Sequence, residues 1–341
     1  MSAQKTFVVT HNHKPPTTPT TQKTILVTGA TGRQGSGVIT ALLSSQTPYT
    51  ILALTRNPSS PAAQHLATLS PSLHLIQGNL SDIPALFAAA TAASSPIWGV
   101  YSVQVSMGPG VTEESEVAQG TGLIDAAVAH GVRYFVYSSV DRGGDDASWE
   151  TQTPIPHFRS KHRIEHHLRA ATQPDTKGAG MAWTVLRPVA FMDNLKPGFE
   201  TSVFLAALRK QLPRNKKVQW VASADIGRFA AMAFDQPEEW QGRAVGLAGD
   251  ELTMEELSAV FERATGRPAR VAYEVFGSLL TTLVRELGLM IGWFASDGYG
   301  ADVQARRGEY PALMDLEAYL RGNKEWQAGN PRGDKERQAG R

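Results

Sequence analysis

The 341-residue chain contains no cysteine, which excludes disulfide staples, thiolate nucleophiles and cysteine-ligated zinc. It has no excess of either charge: 33 Lys and Arg stand against 32 Asp and Glu, leaving a formal net charge of +1. A chain so balanced has no electrostatic footprint for nucleic acid or an anionic membrane, and no direct nucleic-acid partner is expected. Long hydrophobic runs are missing too. The most apolar stretch of the second half, LGLMIGWF at residues 287–294, falls well short of the roughly 20 residues of a spanning helix, so no membrane anchor is expected. The N-terminus has neither the apolar core nor the small-residue cleavage site of a secretory leader, and a cytoplasmic location, with the nucleus also open to it, is expected.

What the chain does have is 42% hydrophobic residues, enough for a sizeable core, and one informative run, KTILVTGATGRQGSGV, from Lys23 to Val38. Here a short apolar strand leads into Gly29, Gly32 and Gly35 and then into a helical pattern. Glycine lets backbone approach a pyrophosphate closely, and the N–H groups of the following helix start would face its oxygens. The run predicts a dinucleotide site built from Gly29, Thr31, Gly32, Arg33, Gln34 and Gly35.

From residue 24 to about 190, strand-like runs (24–28, 50–55, 73–77, 99–105, 134–138 and 182–186) alternate with helix-like stretches (35–45, 83–92, 113–130 and 160–171). That rhythm predicts an α/β fold: a Rossmann-type doubly wound parallel sheet. After Pro188 the pattern breaks up, with a helix over 191–208, strands at 218–221 and 244–248, and a helix over 253–265 that opens on a Thr253/Glu256 capping box. Further helices are expected at 276–287, at 302–307 and from Asp315. The expected division is a flexible N-terminal extension at 1–22, a cofactor domain at 23–190, a smaller mixed α/β lobe for substrate or partner at 191–320, free to exchange segments with the first, and a flexible tail at 321–341. No coiled-coil heptad specifies an oligomer.

The second strand ends in Arg56 with no carboxylate beside it. An acidic residue there would accept the ribose hydroxyls of NAD; an arginine pairs instead with the 2′-phosphate of NADP, and Arg33 offers a second guanidinium, so NADP(H) is the expected cofactor. Asn79 and Leu80 beyond the third strand would border the adenine, with Asp82 as a helix cap, while Gln104 and Ser138 end the fourth and fifth strands. In PIPHFRSKHRIEHHLR, Ser160 would cap a helix and leave Lys161 in its first turn. A cation there opposes the helix dipole unless it faces a ligand or a carboxylate, which makes Lys161 a candidate for binding ribose hydroxyls or moving a proton. His157 lies one turn before it, as a candidate proton donor or a tether for the loop. His162 and His166 share a helix face, but H-R-I-E-H is not a zinc-binding H-E-x-x-H, and no metal is assigned.

The strings VTGATGRQG, LALTRNP, RYFVYSSV, HFRSKHRIEHHLR and TVLRPVAFMDNL together resemble the NmrA-like family, atypical members of the short-chain dehydrogenase/reductase superfamily. The resemblance implies that Thr31 through Gly35 cradle pyrophosphate, that Arg33 and Arg56 contact the 2′-phosphate and that Lys161 stands near the nicotinamide ribose. It also implies either of two functions. One is an NADPH-dependent oxidoreductase reducing a small aromatic quinone-, carbonyl- or enone-type acceptor; the other is a non-catalytic NADP(H)-sensing regulator acting on a protein partner. The chain departs from the Tyr-x-x-x-Lys of classical short-chain enzymes, since His157 occupies the tyrosine position. A histidine titrates near neutrality and would donate through a different geometry.

Overall fold

The computed structural model describes residues 22–272 and 285–327. Seven strands form one parallel sheet, β1 (Lys23–Val27), β2 (Tyr49–Thr55), β3 (Leu73–Gln77), β4 (Ile97–Ser102), β5 (Tyr134–Ser138), β6 (Ala182–Pro188) and β9 (Arg243–Leu247), in the order β3-β2-β1-β4-β5-β6-β9. Side chains alternate between two cores, as a strand covered on both faces requires. Tyr134 and Val136 of β5 enter one, Phe135 and Tyr137 the other.

The helices segregate accordingly. The first face is covered by α1 (Arg33–Leu43) and α8 (Ser223–Asp235) through Val38, Ile39, Ile226 and Phe229. The second is covered by α3 (Ile83–Ala93), α4 (Glu113–Ala129) and α6 (Pro156–Ala171) through Leu86, Phe87, Leu123, Ile124, Ile164 and Leu168. Between β2 and β3 lies α2 (Pro61–Ala67), and after β5 a one-turn α5 (Ala147–Glu150).

The expected helix over 191–208 is corrected. Residues Ala190–Phe191 form strand β7, Met192–Asn194 a 3-10 turn, and α7 runs only from Phe199 to Gln211, because Pro197 and Gly198 interrupt any continuous helix. Strand β7 pairs in parallel with β8 (Val218–Val221), which pairs antiparallel with β10 (Asp250–Leu252). A third core built on Met192, Leu205, Trp220, Leu257, Phe261, Trp293 and Leu316 joins this small sheet to α7, to α10 (Met254–Thr265) and to the helices Arg285–Ser296 and Leu316–Gly322. The short α9 (Pro237–Trp240) leads into β9.

Helix α8 has no counterpart among the expected elements. Its close fit explains its place: a Cβ on Gly227 would lie 2.3 Å from the carbonyl carbon of Gly37, so the backbones of α1 and α8 touch. Together with β9 it is supplied to the main sheet by the C-terminal half. The Thr253/Glu256 box caps α10 as expected, and Asp302 and Asp315 cap the helices Val303–Glu309 and Leu316–Gly322. Residues 1–21 and 328–341, and positions 276–284 of the helix expected over 276–287, lie outside the described residues. Of the residues expected in the tail, 321–322 end one helix and Lys324–Gln327 form another, and Trp326 Nε1 donates to the Leu195 carbonyl at 2.6 Å.

Asp225 on α8 is 2% exposed and accepts the Met314 backbone N–H at 3.1 Å. Burial pushes its carboxyl up to about 6, against the pull of that N–H. The folded chain therefore holds this proton to about pH 6 while the unfolded chain releases it near pH 4. The stability it contributes is complete below that lower value and is lost as the pH rises through the upper one. Asp225→Asn, which keeps an acceptor for Met314 and does not titrate, is expected to raise stability by roughly 2 kcal/mol at pH 7.5 and to be neutral at pH 4, read from thermal melts at both pH values.

Candidate functional site

At the carboxyl end of β1, Thr28 Oγ1 donates to the Val103 carbonyl (2.9 Å) and accepts the Val103 N–H (2.8 Å), clamping the first strand to the end of β4. The chain then turns through Gly29 at φ +59°, where a side chain would be strained and its Cβ would lie 2.8 Å from Val103 Cγ1. Gly35 is required for a different reason. A Cβ there would stand 2.2 Å from the Gly29 carbonyl oxygen, so helix and turn pack backbone to backbone.

Helix α1 opens on Gly32 with no side-chain cap and no acidic residue in its first turn. By contrast Ser60, Asp82, Thr112 and Thr253 cap α2, α3, α4 and α10. The first N–H groups of α1, on Arg33, Gln34 and Gly35, have no intrahelical acceptor, and with Gly32 and Thr31 exposed beside them they form a cradle that fits an anion.

Around this cradle the structure gathers several expected residues. Gln34 Oε1 accepts the Ser138 hydroxyl at 2.6 Å and the Tyr101 hydroxyl at 3.1 Å, spanning from α1 to β4 and β5. Arg33 is exposed and donates to Asn194 Oδ1 at 2.8 Å, in the segment that follows β7. Arg56 is exposed at the end of β2, the neighbour of β1, on a loop braced by the Thr55 and Asn57 side chains. Gln104 is 5% exposed; its Nε2 donates to Ser102 Oγ at 2.9 Å and its Oε1 has no partner among the described residues. Asn79 and Leu80 stand farther out, after the edge strand β3: Asn79 Oδ1 accepts the Ser81 N–H, Leu80 packs on the core, and Asp82 caps α3.

Helix α6 starts earlier than expected, at Pro156, with Ile155 in the cap position. Ser160 therefore does not cap it but sits in its second turn, beside Lys161. Both point to a residue the sequence reading passed over: Glu116 accepts from Lys161 Nζ (2.8 Å), from Ser106 Oγ (2.9 Å) and from Ser160 Oγ. Burial alone would raise the Glu116 carboxyl, but the Lys161 ammonium and these hydrogen bonds outweigh it and hold it below the usual range. A signal existed, because Glu116 stands on the same inward face of α4 as Gly120, Leu123 and Ala127.

His157 Nδ1 is bonded to Glu286 of the helix Arg285–Ser296, and burial lowers its pKa against the pull of that carboxylate. His162 and His166 both meet the Trp149 carbonyl at 2.9 Å. Phe158 and Met192 are buried in the third core. Trp293 and Tyr299 pack on Phe158, and Phe294 packs on Trp293 and Tyr299. No helix of the described residues is long and apolar enough to cross a membrane.

A parallel sheet in this strand order, with a glycine turn opening an uncapped helix at its centre, defines a protein of the Rossmann class. The chain belongs to the NmrA-like family, whose model matches residues 21–320. It is 30% identical over 296 residues to the NmrA-like family domain-containing oxidoreductase hkm9 of Aspergillus hancockii, covering 82% of this chain and 85% of that one. Among solved structures, an NADPH-dependent quinone oxidoreductase from Escherichia coli complexed with NADPH superposes with a TM-score of 0.64 at 22% identity, covering 86% of this chain and 98% of the other. NmrA, a negative transcriptional regulator, in complex with NADP superposes with a TM-score of 0.62 at 19% identity, covering 93% and 98%. At these identities the two structures share the fold.

Proposed function

We propose that this chain is an NADP(H)-dependent reductase of a small, flat quinone-, carbonyl- or enone-type acceptor. The observation that carries the cofactor half is the uncapped first turn of α1, whose N–H groups on Arg33, Gln34 and Gly35 would hold a pyrophosphate, with Arg33 at the start of that helix and Arg56 at the end of the neighbouring strand β2 for the 2′-phosphate. Bound there, the cofactor supplies a hydride.

The chain's own part falls to Lys161. Lys161 is 7% exposed and its ammonium makes one hydrogen bond among the described residues, to Glu116, which leaves two of its three donors for ribose hydroxyls or for the oxygen of an acceptor. Because His157 is tied to Glu286, it orients the start of α6 rather than moving the proton. The carboxyl ends of the parallel strands are where this fold places a reacting molecule.

The test is consumption of NADPH by the purified protein against quinones, aldehydes and enones, followed by absorbance. Turnover is expected with at least one class, and Lys161→Ala is expected to lower it about 30-fold. NADPH binding without turnover across all three classes would instead support a non-catalytic cofactor-sensing regulator, with Gln34, which spans to Ser138 and Tyr101, as the group a bound cofactor would disturb.

A further inference from the structure

We infer that Glu116 is a positioning residue that holds Lys161 ready for the cofactor and ties the loop after β4 to it; the inference rests on the cofactor reading above. Glu116 is 1% exposed in the first turn of α4, and a carboxylate so buried is unfavourable unless its oxygens are compensated. Three donors compensate it. Lys161 and Ser160 come from α6, and Ser106 comes from the loop between β4 and α4.

A bracing ion pair would look different, and this molecule contains one for comparison. In the Arg142–Glu165–Arg187 cluster every guanidinium nitrogen carries a hydrogen bond and both side chains are fully buried, so the cluster presents no nitrogen to a ligand. Lys161 spends one donor of three on Glu116 and is otherwise without a partner among the described residues, although it is nearly buried. Helix α4 follows β4 and α6 follows β5 in the parallel sheet, so the N-terminal turns of both, Glu116 in the first turn of α4 and Lys161 in the second of α6, stand toward its carboxyl edge. The unspent donors are therefore on the ligand side of the fold.

The third donor extends this arrangement to the exposed loop after β4. Ser106 lies between Val105 and Met107, each 59% exposed, in a loop that continues through Gly108 and Gly110, both at positive φ. One carboxylate thus fixes both an ammonium suited to a ribose or carbonyl oxygen and an apolar lip suited to an uncharged ring. Holding a lysine stem before the ligand arrives removes part of the ordering entropy from binding.

The experiment is a double-mutant cycle read in NADPH affinity, by nicotinamide fluorescence, on the full chain. Glu116→Gln and Lys161→Ala are each expected to weaken NADPH about 10-fold, and the double variant to be no weaker than Lys161→Ala within about twofold, because without the ammonium Glu116 has no cation left to position at the cofactor. A purely structural Glu116 would lower the melting temperature and multiply the losses, and multiplied losses or unchanged binding in Glu116→Gln would overturn the inference. Should Glu116→Gln fail to give a cooperative melt, Glu116→Asp keeps the charge but withdraws it by one methylene. Affinity between wild type and Lys161→Ala is expected for it, and wild-type affinity would overturn the inference. A wild-type protein that binds no NADPH fails the cofactor reading itself, whereas wild-type binding unaffected by Glu116→Gln fails this inference alone.

Discussion

Arg56→Glu is expected to weaken NADPH binding on the order of 100-fold while leaving NADH affinity within about threefold of wild type or improving it. The argument is local. Arg56 stands at the end of β2 on a loop held by its own turns: Thr55 Oγ1 bonds the backbone of Asn57, Asn57 Oδ1 accepts the Ser59 N–H, and Ser60 caps α2. Changing its side chain therefore leaves the backbone in place. In the proposed cofactor reading the reversal would set a carboxylate, in place of a guanidinium, against the 2′-phosphate, and in the same position a carboxylate would accept the ribose hydroxyls of the unphosphorylated cofactor. Because the site is exposed, salt screens the effect, so both cofactors are titrated at one fixed ionic strength. Arg33→Glu on its own is expected to do less. Its guanidinium is already engaged by Asn194, so part of the loss would be a lost contact to the C-terminal lobe. NADPH affinity within threefold of wild type in Arg56→Glu would remove the 2′-phosphate from this strand end.

The same two arginines show what a sequence discloses. Position relative to a strand end is a one-dimensional property, and β1, β2 and the glycine turn were legible because strand, turn and helix follow one another without interruption. Chemistry shared between distant segments was not. Glu116, Ser160 and Lys161 come from two helices more than 40 residues apart that repeat no spacing, and only packing of α4 on α6 brings them together. Helix α8 shows a different limit. Ile226, Phe229, Ala230 and Ala233 recur at helical intervals in an Ala-rich run that favours helix, but no side-chain cap marks its start, and its seat against Gly37 of α1 is a property of packing alone. Strand β9 was visible as an apolar run, yet its membership of the large sheet beside β6 depends on where the C-terminal half returns. Likewise Phe158 and Met192 carry no mark that separates a pocket wall from a core, and here they are core.

Glu165→Ala is expected to destabilise the protein by roughly 3–5 kcal/mol, measured by urea unfolding. Its carboxylate is fully buried and takes Arg142 Nη2 (2.8 Å), Arg187 Nη2 (2.7 Å) and Arg187 Nε (3.1 Å), while both guanidiniums are themselves fully buried. Two cations sharing one anion leave the cluster with an excess positive charge, which the carbonyls of Val140, Asp145 and Ser148 and the face of Trp149, 4.5 Å from the Arg187 guanidinium, help to solvate. Removing the only anion leaves both charges buried with dipoles alone, and that is the change proteins tolerate least. Glu165→Gln keeps the volume and one acceptor oxygen, so a loss of about half that size is expected for it. Because Arg142 and Arg187 tie the segment after β5 to β6, the loss should also loosen the backbone that follows Ser138, and NADPH affinity is expected to fall with stability. Replacing all three side chains by apolar ones of similar volume removes the charges together and should restore most of the stability without restoring the hydrogen bonds to the segment 140–148. A Glu165→Ala loss below about 1 kcal/mol would mean that water reaches the two guanidiniums, and the cluster would then not be what fixes that segment.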